Sequence, residues 1–204
     1  MSGVVSWSLQ AGNTCPGSKN NDGTIVLACV GCYAKEGRYL FGNVKKPRLE
    51  NEIAWKHPEW VTDMVSKIKN QTYFRWFDSG DIYDLELAEK IYQVILQTPD
   101  TEHWLPTKMY KFDKFKSVLN KINSLPNAVV RFSSDSITGE YDKELHGSVI
   151  IPSPDFITDA FVCQSLNRGG KCMECKACWN KNIKTIAYVA HGKKIKKLLK
   201  EMEE

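Results

Sequence analysis

Seven cysteines carry the chemistry that this 204-residue chain can do, and they fall into a group of three and a group of four. Cys15, Cys29 and Cys32 lie near the start, in the stretch QAGNTCPGSKNNDGTIVLACVGCYA. Cys29 and Cys32 form a C-x-x-C pair with Tyr33 directly after it, which sets two thiolates one loop-turn apart. Gly12, Pro16, Gly17 and Gly23 give the preceding stretch the bends needed to bring Cys15 back to them. Three thiolates suit a [4Fe–4S] cluster with one iron open, or a zinc site that takes its fourth ligand from His57 or from an aspartate such as Asp22 or Asp78. Cys163, Cys172, Cys175 and Cys178 have the full count for a closed centre, and their C-x-x-C-x-x-C run matches that of bacterial-type ferredoxins. Sulfurs so spaced crowd a single zinc ion, whereas a cubane accepts them. A zinc ribbon is the alternative. Lys171, Lys176 and Lys181 would offset the charge of such a centre or form an ordinary solvated face.

Other polar residues gather in short runs. Asp78 and Asp81 flank Ser79-Gly80 and could bind an amine, a ribose or a metal, or simply start the following helix. Thr107-Lys108 and Arg131 suit a carboxylate or phosphate, with surface pairing as the alternative. Ser133-Ser134-Asp135-Ser136 could face a nucleoside, although such a run is more often a turn.

These residues must be positioned by the elements around them. Short apolar or alternating runs predict strands at 4–9, 73–77, 101–106, 128–132, 148–151, 160–163 and 185–190. Helical spacing predicts helices at 49–56, 59–69, 85–97, 111–123 and 193–202, with GNVKKPRL crossing the surface as a polar turn. Alternation of this kind predicts an α/β chain of parallel β/α units, as an open sheet or a barrel. Every polar run above follows a strand, so one face would collect them all, at the strands' carboxyl ends. The length fits one domain spanning 1–204, with a cysteine-rich insertion at about 155–184. That insertion is poor in apolar side chains, so a metal is expected to order it.

Hydrophobic residues make up 42% and charged residues 25%, enough for a core, and the net charge is +4. That charge permits nucleic acid as a partner without requiring it. Six tryptophans and eight tyrosines could stack on bases, though most occupy core positions. No apolar run approaches the roughly 20 residues of a membrane helix. The first residues lack a secretory signal, so the expected location is the cytoplasm, where thiols stay reduced and bind metals.

A strand followed by a three-cysteine loop ending Cys29-Val30-Gly31-Cys32-Tyr33 resembles the radical SAM enzymes. That resemblance implies a partial (β/α)6 barrel and a [4Fe–4S] cluster whose fourth iron is chelated by S-adenosylmethionine. It also implies that an acidic glycine turn, here Asp78, Ser79, Gly80 and Asp81, holds the methionine amine of that cofactor. The sequence departs from the pattern in one respect: thirteen residues separate Cys15 from Cys29, where three are usual. More closely, Thr14-Cys15-Pro16-Gly17, Cys32-Tyr33-Ala34, Phe77-Asp78-Ser79-Gly80-Asp81 and the terminal cysteine run ending in Trp179 resemble the phage "gene product 88" family, over most of the chain. This implies a phage origin and a host-cell location rather than a reaction.

The functional expectation is an iron–sulfur protein with one or two [4Fe–4S] clusters, acting as a radical SAM-like enzyme on an unknown substrate. In that enzyme the open cluster would cleave S-adenosylmethionine to a 5′-deoxyadenosyl radical, and the four-cysteine group would hold an auxiliary cluster. The alternative is a nucleic-acid-binding protein stabilised by iron–sulfur or zinc centres without redox chemistry. A third arrangement has the two cysteine groups meeting in space.

Overall fold

The computed structural model describes residues 4–204. Its strands are β1 (Val5–Trp7), β2 (Tyr73–Trp76), β3 (Glu102–Thr107), β4 (Ala128–Ser133), β5 (Gly147–Ile151), β6 (Phe161–Val162) and β7 (Thr185–Val189). They form one all-parallel sheet in the order β1-β2-β3-β4-β5-β7-β6. Helices α1 (Leu27–Val30), α2 (Gly42–Ala54) and α3 (Trp60–Ile68) lie between β1 and β2. Helix α4 (Leu85–Leu96) joins β2 to β3, α5 (Asp113–Ser124) joins β3 to β4, and α6 (Lys193–Glu203) follows β7. The chain is therefore α/β, as its alternating pattern predicts. The pairings leave β1 and β6 as the sheet's edges, so they describe an open sheet and no closed barrel. No helix among the described residues is long and apolar enough to cross a membrane.

Successive side chains of a strand point to opposite faces, and here the two faces differ in kind. Phe74 and Trp76 of β2, Leu105 of β3 and Ala128 and Val130 of β4 meet Trp60, Met64 and Ile68 of α3, Ile91 and Ile95 of α4 and Phe115 and Leu119 of α5. This is the main core, and it lies on one side of the sheet. The opposite face carries Tyr73, Trp104, Val129, Ile186 and Tyr188, and no crossover helix covers it. Its cover is Ala177, Cys178 and Trp179 from the segment that links β6 to β7. A parallel crossover is usually a helix; here the cysteine-rich segment has that role.

Helix α4 is capped by Asp84, whose carboxylate accepts the Glu86 N–H at 2.8 Å. Helix α2 corrects the expectation of a surface turn at GNVKKPRL, since it runs from Gly42 through Pro47. It buries no residue, so no apolar stripe could reveal it. Polar side chains hold it instead: Asn51 donates to the Ser8 carbonyl at 2.8 Å, and Arg48 reaches the loop after β2.

His103 of β3 lies in the core, 1% exposed. Its Nδ1 accepts from the Trp76 indole N–H at 3.2 Å, and its Nε2 faces the Thr98 hydroxyl at 2.9 Å. The indole donor leaves no room for a second ring proton, and burial pulls the pKa from 6.5 down to about 4. In the unfolded chain the imidazole takes up a proton near its ordinary value. Between those two values the unfolded state binds more protons, so stability falls as pH falls. Urea unfolding from pH 7 to 4.5 should show a loss that His103→Gln removes, about 3 kcal/mol over the whole window. Parallel pH profiles for parent and variant would contradict this account.

Candidate metal centre

The thirteen residues between Cys15 and Cys29 fold as one 3-10 turn at Pro16–Ser18 and a small hairpin closed by the antiparallel bridge Lys19–Ile25. At its tip, Asp22 accepts from the Thr24 N–H at 2.9 Å. The Val26 N–H then returns to the Ser18 carbonyl at 3.0 Å. The hairpin thus absorbs the extra residues and brings the chain back, so that Cys15 lies within electrostatic reach of both Cys29 and Cys32. Gly17 permits this path, because a Cβ there would sit 2.6 Å from the Lys108 Cβ.

Burial pushes the Cys15 thiol up to about 11 and also raises Cys29, the latter against the opposing charge of Lys108. In the four-cysteine group, burial pushes Cys178 up to about 11, opposed by the Tyr188 hydroxyl and by Arg131. Cys163, Cys172, Cys175 and Cys178 all border one small cleft. Three of them, Cys163, Cys172 and Cys178, also border a cavity of about 820 Å³ whose lining includes Cys15, Cys29 and Cys32. The two groups, 131 residues apart at their nearest members in the chain (Cys32 and Cys163), therefore face one space at the carboxyl ends of the strands.

Among the described residues no three His, Cys, Asp or Glu side chains converge tightly enough for a single metal ion. A lone zinc needs its ligands within about 2.3 Å of one point, whereas a cubane spreads its thiolates over a larger body. The donor set of thiols without imidazole or carboxylate fits a cluster by its chemistry. The candidates for a fourth ligand to the first group are all occupied elsewhere. Asp22 caps its hairpin tip, His57 accepts from the Glu59 N–H at 3.3 Å, and Asp78 is ion-paired.

The Asp78–Asp81 turn borders the cavity, yet its side chains are committed to the scaffold. Arg48 grips the two Asp78 oxygens at 3.1 and 2.8 Å, and the Tyr39 hydroxyl adds a bond at 3.1 Å. Burial alone would raise this carboxyl. Hydrogen bonding from Ser8 and the charges of Arg48 and Arg75 hold it below its usual range. The Ser79 hydroxyl donates to the Leu9 carbonyl at 2.7 Å. Gly80 has φ +77°, and a Cβ there would lie 2.6 Å from the Leu9 Cβ. Asp81, fully enclosed, accepts from Thr107 Oγ1 at 2.6 Å and from the backbone N–H groups of Ile82 and Lys108 at 2.7 and 2.8 Å. Burial raises its pKa against these bonds.

The other polar runs behave alike. Lys108 donates to the Ser133 carbonyl at 3.0 Å and to Asp135 at 2.9 Å. Lys111 donates to the other Asp135 oxygen at 2.6 Å. The strand-end residues thus bind one another, Lys108 and Lys111 sharing Asp135. All six tryptophans are buried, and of them only Trp104 lines the cavity. The groups that the sequence reading passed over are Arg48 and Arg75. Arg75 left a signal, since it is the one charge in the aromatic run Tyr73–Phe77, on the face opposite Phe74 and Trp76.

Arg131 corrects two expectations. It is fully buried, and its guanidinium donates to the carbonyls of Ala177, Cys178, Asn180, Ile183 and Lys184 at 2.9–3.1 Å. Trp179 adds an indole bond to the Phe74 carbonyl at 2.9 Å. Lys181 closes the end of α5 through the Asn123 carbonyl at 2.8 Å. Residues 177–184 are therefore ordered by protein contacts, and only the part from Cys163 to Lys176 is left for a metal to organise.

An open parallel α/β sheet, wound with α3, α4 and α5 on one face and carrying two cysteine groups over the other, defines the class. The chain belongs to the Gene product 88 family, whose model matches residues 2–194. No curated protein and no solved structure matches it.

Arg131→Gln leaves at least three of those carbonyls without a donor. It should cost upward of about 3 kcal/mol in urea unfolding, with new proteolytic cuts between residues 163 and 184. A variant within about 1 kcal/mol of the parent would show that the guanidinium does not hold the segment.

Proposed function

We propose that this chain is an iron–sulfur protein of the phage type, with a [4Fe–4S] cluster on Cys15, Cys29 and Cys32 and a second on Cys163, Cys172, Cys175 and Cys178. We further propose that it is a radical SAM-like enzyme, with S-adenosylmethionine as the ligand of the first centre. The observation that carries the reading is that both cysteine groups border one cavity at the carboxyl ends of a parallel sheet. The hairpin that returns Cys15 to Cys29 and Cys32 supports it, because it reconciles the long spacing with a three-cysteine loop after the first strand.

When bound, such clusters supply one-electron chemistry and, at the three-thiolate centre, an iron able to take a small molecule. The chain's own residues do the rest. Burial raises both thiols, and the cationic Lys108 near Cys29 and Arg131 near Cys178 offset part of that shift. The Asp78, Ser79 and Asp81 side chains hold the turn in shape, which leaves contacts to a bound amine to its backbone around Gly80. Tyr33 fixes the end of the cysteine loop by donating to the Asp78 carbonyl at 2.6 Å.

Protein purified without oxygen should be brown and contain iron and acid-labile sulfide, with the iron lowered by about half in either Cys29→Ser or Cys175→Ser. Its reduced EPR signal should change when S-adenosylmethionine is added. Stoichiometric zinc without iron would overturn the cluster reading. Iron with a signal indifferent to S-adenosylmethionine would overturn the enzyme reading and leave an iron–sulfur protein of another kind.

A further inference from the structure

The cavity has a floor that contains no cysteine. Arg75 and Trp104 are direct neighbours across β2 and β3. The Arg75 guanidinium carbon lies 4.5 Å from the Trp104 ring centroid, so the cation is spread flat on an aromatic face. Both side chains are buried, at 8% and 3% exposure, and both line the cavity. The charge of Arg75 is felt at Tyr33 and Asp78 beside the first cysteine group and at Cys172 and Tyr188 beside the second. It therefore sits between the two groups.

A second observation is independent of that charge. The Trp104 indole nitrogen is buried and has no hydrogen-bond partner among the described residues. A buried donor left unmatched costs about 1–3 kcal/mol, and an acceptor on a bound molecule would relieve it. The donors continue along the same face. Ser148 of β5 and Tyr188 of β7 line the cavity, and the Tyr188 hydroxyl lies 3.5 Å from Cys178 Sγ. The aspartates of the rim are themselves matched: Asp78 pairs with Arg48 and also feels Arg75, and Asp81 is enclosed by its own donors. The walls are aromatic, formed by Tyr33, Phe77, Trp104 and Tyr188.

We propose that this floor binds a planar anion, an aromatic or heterocyclic molecule bearing a carboxylate or phosphate, with the anionic group on Arg75 and an acceptor on the Trp104 N–H. A guanidinium has five N–H donors, so Arg75, which also bonds the Tyr33 hydroxyl, can present donors to such a group, and the aromatic walls take the ring. The site shares the cavity with the proposed clusters but none of their ligands. It rests on that reading only for the identity of the bound anion as the substrate.

The test is ligand-observed NMR on the full-length, anaerobically purified protein with benzoate, phenyl phosphate and benzamide, alongside iron analysis of each variant. Benzoate or phenyl phosphate should bind at least tenfold more tightly than the neutral, isosteric benzamide, and the better of the two identifies the anion. Arg75→Gln should abolish that preference with iron content unchanged. Trp104→Phe, which keeps an aromatic ring and loses the N–H, should weaken the anion severalfold. Equal binding of the anions and benzamide by the parent protein, or a preference that survives Arg75→Gln, would overturn the site. If Arg75→Gln does not fold, the parent comparison and Trp104→Phe decide. Iron content tests the clusters separately, so loss of one reading is distinguishable from loss of the other.

Discussion

One carboxylate, that of Asp81, holds the carboxyl end of this sheet together. Parallel strands leave their carboxyl ends as separate loops, and nothing in the ladder itself ties one loop to the next. Asp81, at the end of β2, accepts from Thr107 and from the Lys108 backbone at the end of β3. The Lys108 ammonium then reaches Ser133 and Asp135 at the end of β4. On the other side, Ser79 and Asp78 bind the Leu9 carbonyl and the Ser8 hydroxyl after β1. The Asp135 carbonyl accepts the Ala28 N–H and so holds the helix that contains Cys29. An enclosed carboxylate is tolerated only when its lone pairs are matched, and here the matching partners are the adjoining loops.

This arrangement explains why the polar runs are ambiguous when read singly. Asp, Ser, Thr and Lys after a strand are the residue types of a binding site, and they are also the types that knit loops to each other. Sequence order shows that they share a face, but it does not show that Lys108 is spent on Ser133 and Asp135. Arg131 is the sharpest case, because an arginine inside the clearest strand reads as an anion ligand or a surface charge. Its partners are carbonyls 46 to 53 residues further on, and no local pattern encodes them.

The fold was largely legible, since period-two and helical patterns are properties of short segments. All seven strands fall where alternation and β-branched runs put them. Helix α2 escaped because its attachment is polar, through Arg48 and Asn51. The division of the cysteines was visible from their spacing. That both groups face one cavity was not, because it depends on β7 lying between β5 and β6 and so turning the terminal segment back over the sheet.

That insertion of β7 also bears on how the molecule is made. Among the described residues strand β6 pairs with β7 alone, so residues 161–162 have no strand partner until residues 185–189 leave the ribosome. The cavity wall includes Gly12 near one end of the chain and Ile195 near the other, and Ile195 packs so closely on Gly31 that a Cβ there would lie 2.7 Å from its side chain. A nascent chain therefore carries the first three cysteines on an unroofed loop, and the enclosed chamber comes into being only with the last helix. Anything held between the two thiol groups therefore gains its full surroundings only once α6 has been made.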